Sequence, residues 1–396
     1  MVGNSFYLAV IGAGASGLTA AAEAARAGKS VVVLDHRADP GAKVLISGGG
    51  RCNFTNRKIT PDFYFSKNPH FCKSALARFG TQEILDRFSK AGIDWTEEEN
   101  GKIFAGSAAA VRDFLLKDAA EGGALFRFGE RIEEIEKNDG RFFLKTDKGT
   151  LCAESVLIAT GGLSCPALGA SDFGFRAARR FGLKIIEPSP ALVPFRFDSA
   201  SLPDLRDLSG VSLPVSVRVE RKEIADNLLL THKGFSGPAA LRASLYWEPG
   251  RPVRIDFLPG EDVLCGMKAL KEKKERRFAV NVLAEKIPLR LAQRFSSLLP
   301  EKRRNVPLAQ VGDRDLALLA EGIKRYSFLP AGTDGYDKAE VTKGGVDTDA
   351  LSSSTMEART VKGLYFAGEV MDVTGELGGY NLHWAWASGE AVGRNV

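Results

Sequence analysis

The chain has 396 residues, of which 44% are hydrophobic and 26% charged, with a formal net charge of +5. This length exceeds what one hydrophobic core fills, so two or three domains are expected in an ordinary globular composition. A charge this small suits anionic cofactors or substrates but makes no case for nucleic acid, and no apolar run approaches the ~18 residues of a membrane span. Cys52, Cys72, Cys152, Cys165 and Cys265 form no C-x-x-C pair. Dithiol redox chemistry and zinc-ligand spacing are thereby excluded, and a reducing compartment is favoured. The N-terminus lacks the basic region of a secretory signal, so a soluble, cytoplasmic protein is expected.

The first elements carry the strongest signal. Leu8 to Ile11 is a continuous apolar run, as in a strand buried on both faces of a parallel sheet. Gly12, Gly14 and Gly17 follow as G-x-G-x-x-G, then an alanine-rich helix to Ala27, with Gly28 placed to cap it. A second apolar run, Val31 to Leu34, ends in Asp35. Strand, glycines, helix, strand and acid in this order form a dinucleotide-binding unit. Gly12 makes the tight turn, Gly14 admits a pyrophosphate, Gly17 lets helix and strand pack, and Asp35 accepts from a ribose diol.

Ser47-Gly-Gly-Gly-Arg-Cys-Asn-Phe-Thr-Asn56 reads as a ligand-facing loop, because its glycines expose backbone N–H groups and Arg51 supplies a cation. Phe71 to Ala91 has helical spacing, ended by Gly92, and Val111 to Ala120 reads as another helix. From Leu125 the period becomes two: Leu125–Phe128, Ile132–Lys137, Arg141–Thr146 and Leu151–Ser155 alternate, with turns at Asn138–Gly140 and Asp147–Gly149. A three-stranded meander then feeds a buried strand, Val156 to Ala159, ending in Thr160-Gly161-Gly162. Dinucleotide unit, meander and return strand together describe an FAD domain of the glutathione-reductase type.

Pro188, Pro190 and Pro194 mark a boundary. Leu192 to Leu230 is strand-rich, Leu264 to Leu299 charged and helical, and Phe328 to Val346 irregular. Six basic residues fall within Lys268 to Arg277, read as a solvated helix face rather than a nucleic-acid patch. Gly363 to Glu369 is a late strand ending in glycine and acid, and Gly375 to Leu382 leads into a helix beginning near His383. The expected fold is α/β, a glutathione-reductase-type FAD-binding Rossmann domain with an inserted β-barrel-like domain that carries a small helical domain. The expected boundaries are 1–190 and 340–396, 191–258 and 326–339, and 259–325.

The stretches G-A-G-A-S-G (12–17), S-G-G-G-R-C-N-F-T-N (47–56), T-G-G-x-S-x-P (160–166), T-H-x-G-x-S-G-P (231–238) and G-L-Y-F-A-G-E-V…G-G-Y-N-L…A-W-A-S-G (363–389) span the chain in order. In these the chain resembles the YhiN/BaiN-like flavoproteins, also labelled the aminoacetone oxidase family. The resemblance implies that Gly12, Gly14, Ala15, Ser16 and Gly17 cradle the FAD pyrophosphate, with Asp35 on the adenosine ribose and His36 beside it. Lys43, Ser47, Gly48, Gly49, Gly50, Arg51, Cys52 and Asn53 would wrap the pyrophosphate, ribityl chain and ring edge. Ile132 would meet adenine through its backbone, next to Thr160 and Gly161. Gly368, Glu369, Gly379, Tyr380, Asn381 and Leu382 would finish the flavin site. Cys165 stands where an aromatic is usual, Ala170–Phe173 replaces a Ser-Thr-Gly-Asp-like run, and His383 replaces a glutamine.

His232, His383 and Tyr380 are candidates for proton transfer, and Cys52 is expected to be an inert thiol; no catalytic residue is identified. No Ser-His-Asp arrangement or metal cluster is evident. The expected function is an FAD-dependent oxidoreductase acting on a small organic substrate, with NAD(P)H a transient co-substrate because no second G-x-G-x-x-G follows. The alternative is a flavoprotein with a redox-linked regulatory or RNA-modification-related role. Arg51 is expected to reach the flavin half of the cofactor or to order the loop around it.

Overall fold

Strand β1 (Ser5–Ile11) is the centre of the first sheet, and its Leu8, Ala9 and Val10 are fully buried. A computed structural model describes residues 4–197 and 207–396. It divides into two units, Met1–Pro190 with Glu340–Val396, and Ala191–Ala339. In the first, β1 pairs in parallel with β2 (Val31–Asp35) and with Gly149–Ile158. Helix α1 (Ala15–Arg26) joins β1 to β2. The parallel sheet is completed by Leu125–Phe128 beside β2 and Leu364–Phe366 beside Val156–Ile158. This is the α/β dinucleotide fold that the glycine spacing requires.

Gly149–Ile158 is one strand with two environments. Its first half pairs antiparallel with Arg141–Thr146, which pairs with Ile132–Asn138, and its burial alternates. The second half enters the parallel sheet and is buried throughout, since both faces are covered there. Leu125–Phe128 alternates in sequence like the meander but belongs to the parallel edge, in register with Val32 to Asp35. Period two identifies a strand and not its partner; here the Gly129 N–H, bonded to the Arg37 carbonyl at 3.0 Å, holds the chain against β2.

The helix expected over Phe71 to Ala91 is two helices, Lys73–Arg78 and Thr81–Lys90. Gly80 between them is extended, and its N–H donates to the Glu83 carboxylate at 3.0 Å, which starts the second helix. The next helix runs Ala108–Glu121 from a Ser107 cap. The final helix, Tyr380–Gly393, begins at Tyr380 rather than His383 and lies tightly on α1: a Cβ at Gly389 would stand 2.4 Å from the Ser16 carbonyl oxygen. Pro188 and Pro190 sit inside a strand, Ile185–Ala191, that pairs only with Val341–Val346, a setting in which missing N–H donors are tolerated.

The second unit contains a seven-stranded sheet in the order Tyr326–Phe328, Val253–Asp256, Ser212–Val219, Lys222–Leu230, Gly234–Ser236, Phe195–Arg196, Gly332–Thr333. Its two edge strands are joined by Leu329, Pro330 and Ala331 alone, so the sheet curls back on itself, with Phe328 against Phe195 and Phe235 at 6.0 and 4.7 Å. The run from Leu264 to Leu299 is divided among Val263–Glu272, Ala279–Leu283 and Leu289–Ser296. These helices and Asp313–Lys324 share one apolar cluster with the sheet. No helix among the described residues is long and apolar enough to cross a membrane.

Candidate functional site

Two of the three fingerprint glycines are required by the chain itself. Gly12 has φ +107°, and a Cβ there would lie 2.4 Å from the Ala159 carbonyl oxygen; one at Gly17 would lie 2.0 Å from the Gly12 carbonyl oxygen. Gly14 differs. Its backbone is extended, at φ −89° and ψ −172°, and a Cβ would meet nothing within 4 Å. The open side of Gly14 faces the start of α1, where the N–H groups of Ala15, Ser16 and Gly17 have no acceptor within the helix. The Ser16 hydroxyl is turned inward to the Ala367 carbonyl at 3.4 Å, so only its backbone faces that space.

Asp35 organises this corner. One carboxylate oxygen accepts from the Ala13 N–H at 2.8 Å and the other from the Arg37 N–H at 2.9 Å, with His36 Nδ1 at 3.6 Å. A carboxylate has about four lone-pair sites, so capacity remains for a ribose diol. The Asp35 carbonyl accepts from Glu130 at 3.0 Å, which brings the segment leading to Ile132 beside the end of β2. His36 and Arg37 pack over Gly169, where a Cβ would come within 2.8 and 3.0 Å of them. Among the described residues, the buried Arg37 Nε here has no partner; Thr160 Oγ1, also buried and unpartnered, lies instead against Gly174, where a Cβ would come within 2.3 Å of it. Gly161, at φ +73°, faces open space.

The Ser47–Asn56 stretch and the Gly375–His383 stretch interlock. Gly48, Gly49 and Gly50 are all left-handed, at φ +56°, +66° and +88°. A Cβ at Gly48 would stand 2.7 Å from the Asn53 nitrogen, whereas Gly49 and Gly50 face open space. The Ser47 hydroxyl donates to the Val44 carbonyl at 2.7 Å. Arg51 pairs with Glu98 at 2.8 Å and lies over the Phe104 ring at 4.2 Å. Cys52 is fully buried, and burial pushes its thiol up to about 11, so it is no thiolate. The Asn53 amide accepts from the Gly379 N–H at 3.2 Å and donates to Ile103 and Thr55 carbonyls, both at 3.1 Å. Asn56 donates to the Gly378 carbonyl at 2.9 Å.

On the other side, Asn381 bonds both the N–H and the carbonyl of Gly375 at 2.8 Å, closing its own loop. Tyr380 stacks on Phe63 at 4.8 Å, and the Tyr64 hydroxyl donates to the Tyr380 carbonyl at 3.1 Å. The first-turn N–H groups of Tyr380–Gly393, including those of Asn381 and Leu382, have no acceptor within the helix. His383 is fully buried, with Nε2 3.0 Å from the Phe79 carbonyl and Nδ1 2.8 Å from the Thr55 hydroxyl. A carbonyl only accepts, so Nε2 carries the proton and Nδ1 accepts from Thr55. With both nitrogens engaged inside the core, His383 is a structural residue. His232 lies exposed in the turn before Gly234–Ser236, within the second unit.

Lys43 and Glu369 meet. Lys43 Nζ donates to Glu369 at 2.6 Å and to the Ser164 hydroxyl at 2.7 Å, and Glu369 accepts from Ser164 at 3.0 Å and from the Thr342 N–H at 2.8 Å. The Thr342 hydroxyl accepts from the Leu163 and Ser164 N–H groups at 2.8 and 3.1 Å. Gly368 is fixed beside them, its N–H donating to Ser388 at 2.9 Å. Ser164 and Thr342 are absent from the sequence-derived set. Ser164 is the serine of T-G-G-x-S and was within reach of that reading; Thr342 stands in a stretch without a motif.

The residues fit FAD on three grounds: open space at Gly14, Gly49, Gly50 and Gly161, two helix N-termini, and the unpartnered buried Nε of Arg37, two residues past Asp35. The comparisons agree. The chain is 44% identical over 395 residues to the "Ribosomal RNA dihydrouridine synthase" of Escherichia coli (strain K12), covering 99% of this chain and 98% of that protein. It is 40% identical to the protein of that name in Haemophilus influenzae (strain ATCC 51907), covering 98% and 97%. It is 30% identical to the "3-dehydro-bile acid delta(4,6)-reductase" of Clostridium scindens, covering 98% of each. Residues 6–395 match the family described as HI0933-like protein Rossmann domain, and the chain belongs to this family of FAD-binding oxidoreductases.

Proposed function

We propose that this chain is an FAD-dependent reductase that saturates a carbon–carbon double bond conjugated to a carbonyl, and that its substrate is a uridine of RNA. The observation that carries the reading is full-length similarity to two proteins named for dihydrouridine formation. The third relative is named for reducing a dehydro-bile acid, and the two names share one chemistry. FAD, when bound, supplies the two-electron hydride carrier. NAD(P)H is the proposed reductant, and the balance is uridine plus NAD(P)H plus one proton giving dihydrouridine and NAD(P)⁺.

The chain's own residues support this role. The N-terminus of Tyr380–Gly393 favours negative charge on a group held against it, and the Asn53–Gly379 and Asn381–Gly375 bonds hold that helix start in place. Glu369, fixed by Lys43, Ser164 and Thr342, is the proposed acceptor for the cofactor's ribityl hydroxyls. Cys52, protonated by burial, contributes no thiol redox step. The small-organic-substrate reading expected from the FAD-domain motifs stands second, favoured by the bile-acid relative. To test both, the purified yellow protein is mixed anaerobically with NADPH or NADH, then with uridine-containing RNA or a steroid enone. The expected result is bleaching, then return of colour with RNA and an RNA mass increased by two hydrogens per modified base. No bleaching with either nicotinamide overturns the reductase; recovery with the enone alone moves the substrate to the second reading.

A further inference from the structure

The outer face of the sheet in Ala191–Ala339 carries an arrangement that opposes folding. Arg218 and Arg254 are register partners on the antiparallel strands Ser212–Val219 and Val253–Asp256. Directly opposed residues hold their Cβ atoms about 4.5–5.5 Å apart, and like charges there destabilise a sheet. Val217, Val219, Val253 and Ile255, which alternate with them, are buried, so both guanidinium groups point away from the core. Their other neighbours leave them unpaired. Arg254 is next to Ser327, and Glu223, opposite Arg218, instead accepts from the Ser216 hydroxyl at 2.7 Å. Neither arginine has an acid within ion-pair distance among the described residues.

Both arginines line a cleft of about 1020 Å³ between this sheet face, the loop from Gly260 to Leu264 and helix Asp313–Lys324. Three of its acids pair with cations, Asp256 with Lys324 at 2.7 Å, Glu321 with Arg325 at 3.4 Å and Glu261 with Lys286; Asp262 caps the helix by accepting from Cys265 N–H at 2.9 Å and Glu223 accepts from Ser216, so these two keep their charge beside the two arginines. Val263–Glu272 leaves the rim at Val263 and Leu264 and leads to Lys273, Lys274 and Arg276, which are exposed and outside any ion pair among the described residues. Lys271 and Arg277 of the same cluster are paired, with Asp313 and with Glu275 and Glu285.

We infer that this cleft seats the phosphate backbone of single-stranded RNA, with Arg218 and Arg254 as phosphate contacts. The inference rests on the RNA reading above and locates part of its substrate binding. A helix of this length runs about 15 Å from the cleft to the exposed cations, a track for several phosphates and longer than one nucleotide requires.

The test titrates a labelled uridine-rich RNA with the FAD-loaded full chain over a range of salt. For Arg218→Gln with Arg254→Gln, affinity is expected to fall by about tenfold per arginine. The log–log salt slope should become shallower by about 1.4, at about 0.7 per phosphate contact on a single strand. Arg218→Gln alone should raise Tm without RNA, because it removes the opposed charge; a purely structural arginine would give the reverse. Should the double variant fail to fold, Arg254→Gln is read on the same plot. Unchanged affinity and slope overturn the inference, as does competition by AMP as strong as by RNA, which assigns the cleft to a small phosphate ester. Wild-type protein that forms dihydrouridine while the variant binds RNA normally overturns the cleft alone. Wild-type protein that neither binds nor reduces RNA overturns the functional reading.

Discussion

Burial holds His383 neutral, taking it from 6.5 down to about 4, and its two bonds tie Thr55 and the Phe79 carbonyl to the last helix. His383→Leu should leave both partners unpaired, at about 1–3 kcal/mol for each, while His383→Gln, able to donate and accept, should recover part of the loss in urea unfolding. The pH dependence follows. Between pH 6.5 and about 4 the unfolded histidine takes a proton that the folded one refuses, so stability falls as pH falls through this window. The slope is at most about 1.4 kcal/mol per pH unit. Buried carboxyls Asp372 and Glu390, raised by burial, bind protons more readily when folded and act in the opposite direction. The difference between wild type and His383→Gln therefore isolates the histidine; parallel curves would remove it as the source.

Among elements, the contact of α1 with β1 and the last helix gives the sharpest contrast. Gly17→Ala puts a methyl into the Gly12 carbonyl, which cannot yield without moving β1, and should cost about 3 kcal/mol or more and lower the yield of folded protein. Gly14→Ala meets nothing in the chain. It should keep the Tm of the FAD-free protein yet weaken FAD retention by at least about tenfold, as seen in absorbance after gel filtration. A yellow Gly14→Ala protein would show that the open space is not the pyrophosphate cradle. The last helix is further held by Arg87, which bonds Glu23 at 2.8 Å and the buried Glu390 at 3.2 Å. Because Arg394 also pairs with Glu390, at 2.5 Å, Arg87→Met should destabilise by only about 1–2 kcal/mol at neutral pH, and by less at acidic pH, where the raised Glu390 carboxyl takes up a proton.

At the level of the whole molecule, the two units have separate apolar clusters, and none of the first cluster's residues comes from 191–339. The chain leaves and re-enters the first unit through the paired strands Ile185–Ala191 and Val341–Val346, so its cut ends lie close together. Replacing 192–339 by a short Gly-Ser linker closes a small loop at modest entropic cost. The shortened protein should fold and retain FAD within about tenfold of the full chain's affinity, while RNA binding is lost. A colourless, aggregated product would show that the first unit needs the insertion to fold.

The dinucleotide unit was legible in the sequence because its signals are local. Gly12 and Gly17 answer to a turn and a packing contact, the apolar runs to burial on two faces, and Asp35 to the end of β2. The break at Gly80 and the parallel placement of Leu125–Phe128 were not legible, since spacing reports an element's period and leaves its ends and partners open. Side-chain partnerships were least accessible. Lys43 meets Glu369 and Thr55 meets His383 across more than three hundred residues of chain, and Arg51 finds Glu98 on a separate strand–turn unit. The opposition of Arg218 and Arg254 likewise exists only through strand register. Composition and periodicity determined which segments form strands, helices and glycine turns, because those depend on backbone conformation and nearby residues. Which charges are satisfied and which remain available to a ligand was decided by tertiary structure, because a charge's partner is set by proximity in space.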